Sequence, residues 1–240
     1  MIRSIKFFSI IFSGVFLCAA IISARASNHR QQNNRPVVKI INPKNNSSIN
    51  SNAPVNYAIT VSDKEDGESK YDEINAKEVL LEVRFIRDTT KLAAIINQPV
   101  QNDAAGLTAI RTSNCFNCHA FDSKLIGPSF NDIGKKYKTT AANIALMQKR
   151  ILEGTTGVWG NVAMPSHPEL NKTQALNMVE WILKIANDNN TNYFVGTQGS
   201  FHIPAAKGTY LLLASYVDHG LENQSAQRLK GQDAIVIYSK

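Results

Sequence analysis

Two thiols and an imidazole stand together at Cys115-Phe116-Asn117-Cys118-His119. Thiols three residues apart with a histidine directly after them have the spacing by which a chain attaches a c-type haem. On a helix, residues three or four apart share a face, which would turn both sulfurs and the ring the same way. The sulfurs would then bond the two haem vinyl groups while His119 reaches the iron from one side. A thioredoxin-like dithiol also uses Cys-x-x-Cys, but beside a βαβ pattern. Structural zinc wants four ligands, commonly a second Cys or His pair. The flanks here are helical in pattern and cysteines are few, which disfavours both.

The chain has 240 residues, enough for one or two domains, and 3 cysteines. One of these, Cys18, lies in an amino-terminal stretch with its own logic. Arg3 and Lys6 precede an apolar run from Phe7 to about Ile22, and Ala24-Arg25-Ala26 supplies small residues for cleavage. Residues 1–26 therefore read as a secretory signal peptide, placing the mature chain in the periplasm or otherwise outside the cytoplasm. An uncleaved membrane anchor and lipoprotein processing at Cys18 are the rivals. The run is short for a bilayer span, and Leu17 is not the small residue that lipoprotein processing wants before its cysteine. Loss of Arg3, Lys6 and Arg25 lowers the basic count from 26 to 23 against 19 acids, and the formal charge from +7 to about +4. That is too mild to argue for nucleic-acid binding, which would call for a clustered basic face. With Cys18 removed, only Cys115 and Cys118 remain, which excludes a disulfide framework.

The elements that must position the motif divide the chain into β and α portions. Residues 27–35 are polar and free of aromatics, and read as a disordered linker. Residues 36–96 carry strand signals at Val37–Ile41, at Val55–Val61 with period two, and at Val79–Ile86. Asp66-Gly67 marks a hairpin turn and lacks the spacing of an EF-hand loop. From about residue 102 to 190 the period turns helical. Ile144, Met147, Ile151 and Leu152 share a face that Gly154 ends, and Asn171 caps a last helix carrying Leu176, Val179, Ile182 and Leu183. Strand character returns in residues 193–240, at Gly208–Val217 and Ala234–Tyr238. Two strands make a poor unit alone. The economical fold is one β-sandwich built from both flanks with an all-α domain inserted between them; two separate β appendages are the alternative.

Residues 102–190 resemble the short bacterial class I cytochromes c. The likeness rests on Cys115-Phe116-Asn117-Cys118-His119, on Gly127-Pro128, on Val158-Trp159-Gly160-Asn161-Val162-Ala163-Met164-Pro165, and on the final amphipathic helix. It implies one covalent haem c, with iron held by His119 and Met164. It implies that the Pro128 carbonyl accepts the His119 Nδ1 proton, and that Trp159 borders the haem or bonds a propionate; simple packing of Trp159 remains the alternative. Met147 and Met178 fall in helical patterns and read as core. His167 is a rival sixth ligand, with a surface position the expectation. Lys135, Lys136 and Lys138 form a basic cluster, read as a solvated face with docking to an acidic partner as the alternative. Trp181 is expected to pack on the first helix.

The phrase Val61-Ser62-Asp63-Lys64-Glu65-Asp66-Gly67 resembles the turn of immunoglobulin-like and PKD-like modules. The combination is similar to the terminal region of some quinoprotein sugar-dehydrogenase-like proteins. This implies an exported electron carrier rather than an enzyme, passing single electrons from a periplasmic dehydrogenase to a terminal acceptor. A different reading makes the β portion a carbohydrate- or surface-binding module, with Tyr57, Tyr210 and Tyr216 as its platform and the haem domain accessory.

Overall fold

The structure is a computed structural model that describes residues 32–203, 207–222 and 227–240. The signal peptide expected at residues 1–26 lies outside the described residues. Among the described residues, no helix is long and apolar enough to cross a membrane.

Nine strands are described: β1 (Val37–Asn42), β2 (Ser47–Ile49), β3 (Pro54–Asp63), β4 (Gly67–Glu68), β5 (Leu80–Ile86), β6 (Thr191–Val195), β7 (Gln198–His202), β8 (Gly208–Val217) and β9 (Lys230–Ser239). One sheet runs β1-β3-β4, with β7 also on β3; the other runs β2-β9-β8-β5-β6. All pairs are antiparallel except β2 with β9. Each sheet joins strands from before and after the helical portion. Val55 pairs with Phe201, and Leu81 pairs with both Phe194 and Ala214.

Alternation explains β3. Val55, Tyr57, Ile59 and Val61 turn inward while their neighbours face out, and they meet Leu81, Leu212 and Ile237 of the other sheet in one buried cluster. Strand β8 lacks that alternation because both its faces are covered. Tyr210, Leu212, Ala214 and Tyr216 enter the shared cluster, whereas Leu211 packs on the opposite side with Ile86 and Val236. The short helix α1 (Leu92–Ile96) lies over that opposite side through Leu92 and Ile95. Tyr57, Tyr210 and Tyr216 are therefore core residues, and none is available as a sugar platform.

Of the linker expected at residues 27–35, residues 27–31 lie outside the described residues, and Asn33 and Asn34 are tied down by hydrogen bonds. The Asn33 amide donates to Asp218 Oδ2 at 2.9 Å, and the Asn34 amide donates to Glu65 Oε1 at 2.7 Å. The Asp66-Gly67 turn joins β3 to β4. Asp63 Oδ1 accepts from the Glu65 and Asp66 amides at 2.9 and 2.8 Å, and Gly67 takes a φ of +92°.

The helical portion comprises α2 (Ala105–Thr112), α3 (Phe130–Lys136), α4 (Ala141–Glu153) and α5 (Lys172–Ile185). Thr140 caps α4, and Asn171 with Gln174 forms a capping box on α5. Gly154, at φ +80°, ends α4. Met147 and Met178 are buried, as core positions should be. The helical core also takes in Leu80, Tyr193 and Val195 from β5 and β6, so the strands close one side of it. Trp181 lies where α5 meets α2, and its ring also faces Phe121 and Tyr193.

Candidate haem site

The motif does not continue the first helix. Helix α2 stops at Thr112, Asn114 turns the chain through a left-handed φ of +56°, and Cys115–Asn117 form a separate 3-10 turn. In place of the expected α-helical turn, the Cys118 and His119 amides both donate to the Cys115 carbonyl, at 3.1 and 2.9 Å. Both cysteines carry free thiols and are partly accessible. Phe116, between them, points inward and meets Phe121 and Phe130, at ring distances of 5.5 and 6.2 Å. The buried phenylalanine anchors the turn, with a partly accessible cysteine on either side of it.

His119 is held by three neighbours. Its Nδ1 lies 2.7 Å from the Pro128 carbonyl, which accepts its proton and leaves Nε2 free to ligate. Phe130 stacks on the ring at 5.4 Å and 19°. Gly127 passes so close that a Cβ there would stand 2.5 Å from His119 Cε1. Burial holds the imidazole below its ordinary pKa, opposed by the Pro128 hydrogen bond, so the ring is neutral and its lone pair available. Burial likewise pushes the Cys115 thiol up to about 12.

Met164 sits in the loop between α4 and α5. Its amide donates to the Thr155 carbonyl at 2.8 Å, and the Thr155 amide donates back at 3.0 Å. This small bridge fixes the Met164 backbone across the base of residues 154–164. The Met164 side chain, Cys115 and Trp159 are each partly buried against the helical core. Trp159 carries the Lys136 ammonium over its ring at 4.3 Å. His167 is half-buried rather than on the surface, with Nδ1 2.7 Å from Glu169 Oε1. The sequence reading missed Phe130 and Thr155. Phe130 had a signal in its place two residues after Pro128; Thr155 had none, since a bridge of two backbone hydrogen bonds does not depend on side-chain type.

The donor set fits haem c. Two free thiols stand beside one oriented imidazole, a glycine gives the ring its clearance, and a loop methionine is anchored through its backbone. A family model for cytochrome c matches residues 104–186. Cytochrome c-551 of Azotobacter vinelandii is 38% identical over 73 residues, which is 30% of this chain and 88% of that protein. This chain belongs to the cytochrome c family.

Cytochrome c-552 of Nitrosomonas europaea is 31% identical over 75 residues, 31% of this chain and 73% of that protein. The crystal structure of wild-type Nitrosomonas europaea cytochrome c552 is 29% identical, covers 32% of this chain and 96% of its own, and has a TM-score of 0.31. As a cytochrome c the protein is an electron carrier with covalently bound haem c, and its single domain of this type fits one haem. The two sheets lie outside the matched residues.

Proposed function

We propose that this cytochrome c is an exported monohaem carrier whose iron is ligated by His119 and Met164 and whose haem is anchored by Cys115 and Cys118. The observation that carries this reading is the 2.7 Å contact of His119 Nδ1 with the Pro128 carbonyl, because it leaves the other ring nitrogen unprotonated and able to ligate a metal. When bound, haem supplies a one-electron couple, and a His/Met pair raises its reduction potential relative to harder ligand sets. Pro128 and Phe130 fix the plane of the imidazole, Gly127 gives it room, and the Thr155 bridge holds Met164 in its loop. Trp159 would border the cofactor. With His119 and Met164 both on the iron, no position would be left for a small molecule, and the residues would serve electron transfer.

Leu125 and Ile126 are 49% and 55% exposed just before Gly127, and Val162 is 65% exposed just before Met164. These side chains bracket the site from its two loops and suit brief apolar contact with redox proteins. The donor in this reading is a periplasmic dehydrogenase, passing electrons on to a terminal acceptor. No nucleic acid is involved. A cleaved signal peptide at residues 1–26 would deliver the chain, in place of a membrane tether. The two sheets form an immunoglobulin-like or PKD-like framework interrupted by the cytochrome domain.

Optical spectra of the haem-matured protein, with a pyridine haemochrome assay, test the reading. One thioether-linked haem and a weak Met-to-Fe(III) charge-transfer band are expected, the band disappearing in Met164→Ala. A wild-type spectrum without that band would overturn His/Met ligation. Mass spectrometry of the amino terminus, expected to begin after Ala26, tests export.

A further inference from the structure

Helix α3 touches both sides of the candidate haem site. Pro128, just before its Ser129 cap, accepts from His119. Its last residue, Lys136, reaches the loop that carries Met164. The Lys136 ammonium lies 4.3 Å from the Trp159 ring centroid and donates to the Val158 carbonyl at 3.3 Å. Lys135 and Lys138, its neighbours in the basic cluster, make no such contact in the hydrogen-bond and ring geometry described. Lys136 is thereby set apart from a purely solvated face.

The loop needs such a hold. Residues 154–164 leave α4 through Gly154 and pass Gly157 and Gly160, all three at positive φ. The Thr155–Met164 bridge closes the base, and the Gly157 amide donates to the Gly160 carbonyl at 3.1 Å within the tip. Val158 and Trp159 lie in that tip, so Lys136 grips the end remote from the bridge. A backbone hydrogen bond combined with a cation over an indole face resists motion in two directions at once.

We infer that Lys136 is a positioning residue for Met164: it pins the tip of the loop and so holds the thioether toward the site that Pro128, at the other end of the same helix, builds around His119. The inference rests on His/Met ligation. Loss of the clamp leaves the ligand in place and makes it easier to displace.

The test is a titration of the oxidised holoprotein with imidazole, followed by loss of the Met-to-Fe(III) band. Lys136→Met should bind imidazole about two- to tenfold more tightly than wild type, the range a surface cation–π contact with its hydrogen bond supports. Lys136→Arg, which keeps a cation over the ring, should titrate within about twofold of wild type. Lys135→Met removes the same charge one residue away and should leave the titration unchanged. Lys136→Gln repeats the test should the methionine variant accumulate poorly. Wild-type affinity in both Lys136→Met and Lys136→Gln would overturn the inference, and so would an equal effect of Lys135→Met, which would show a charge effect. A wild-type protein lacking the band would instead sink the ligation reading, and this inference with it.

Discussion

Asp103 and Arg111 form an ion pair at 2.8 Å with each side chain only 5% exposed. The pair ties the start of α2 to its own last turn and both to the sheets. Arg111 also donates to the carbonyls of Glu78 and Ser215 at 2.9 and 3.0 Å, and Lys230 of β9 meets Asp103 at 2.6 Å. One carboxylate therefore serves a buried guanidinium and a partly buried ammonium at the seam between helices and strands. Removing one partner of a buried pair leaves an uncompensated charge and costs about 3–5 kcal/mol.

The stoichiometry makes the two halves unequal. Asp103→Asn strands both Arg111 and Lys230 and should lose about 3–5 kcal/mol. Arg111→Met leaves Asp103 with Lys230 and should lose less. Chemical denaturation of the holoprotein measures both. Equal losses, or the larger one in Arg111→Met, would show that the seam depends on the arginine's carbonyl contacts instead of its charge.

Gly127→Ala addresses the proximal side. The added methyl would fall 2.5 Å from His119 Cε1, and the ring cannot swing away while Pro128 and Phe130 hold it. Overpacking of this kind costs about 1–3 kcal/mol. The expected result is a lowered yield of haem-loaded protein, with a shifted spectrum in what remains. A variant with wild-type yield and spectrum would mean that the loop gives way and Gly127 is not required there.

What was legible in the sequence followed from chemistry at short range. Cys115, Cys118, His119 and Pro128 lie close enough along the chain for spacing to carry information, and the structure joins His119 to Pro128 directly. Strands β3 and β5 announced themselves by alternation. Strand β7 did not: Gln198, Gly199, Ser200 and His202 are exposed and only Phe201 is buried, so it has almost no apolar pattern, and its place depends on pairing with distant β3. Asp103 and Arg111 look like ordinary surface residues in sequence. Their burial is a property of the seam, which exists only once the strands before and after the helices have met. Lys136 is the converse case, a lysine in a basic cluster whose role comes from what its side chain reaches.

His219 should make stability depend on pH. Burial works against its charge, but Glu78 Oε1 at 3.1 Å and Asp66 Oδ1 at 3.2 Å outweigh that and raise its pKa above the ordinary 6.5. A group whose folded pKa is raised contributes stability that is fully present below its unfolded pKa and disappears as pH climbs through the folded value. Tm should therefore decline as pH rises from below 6.5 through the raised pKa, and His219→Gln should flatten that decline. An identical slope in the variant would assign the titration to another group. Because the ring is half exposed, the effect should also weaken in high salt.

Gly106→Ala tests the crossing of α2 and α5, which sets the back wall of the haem domain. A Cβ at Gly106 would stand 2.2 Å from the Asn177 carbonyl oxygen and 2.5 Å from Trp181 Cβ. The first of these is backbone inside α5, so relief requires the helices to move apart. Separation would open the packing of Leu107 and Ile110 against Val179 and Ile182 in the helical core. Helix propensity favours alanine over glycine by about 1 kcal/mol, so the substitution pits a local gain against a tertiary clash. Strain from overpacking should outweigh that gain. The variant should unfold at lower denaturant than wild type while keeping its haem spectrum, since neither His119 nor Met164 lies on the crossing. A stabilised variant would show that α5 can shift outward without loss, and the close approach of the two helices would then be incidental.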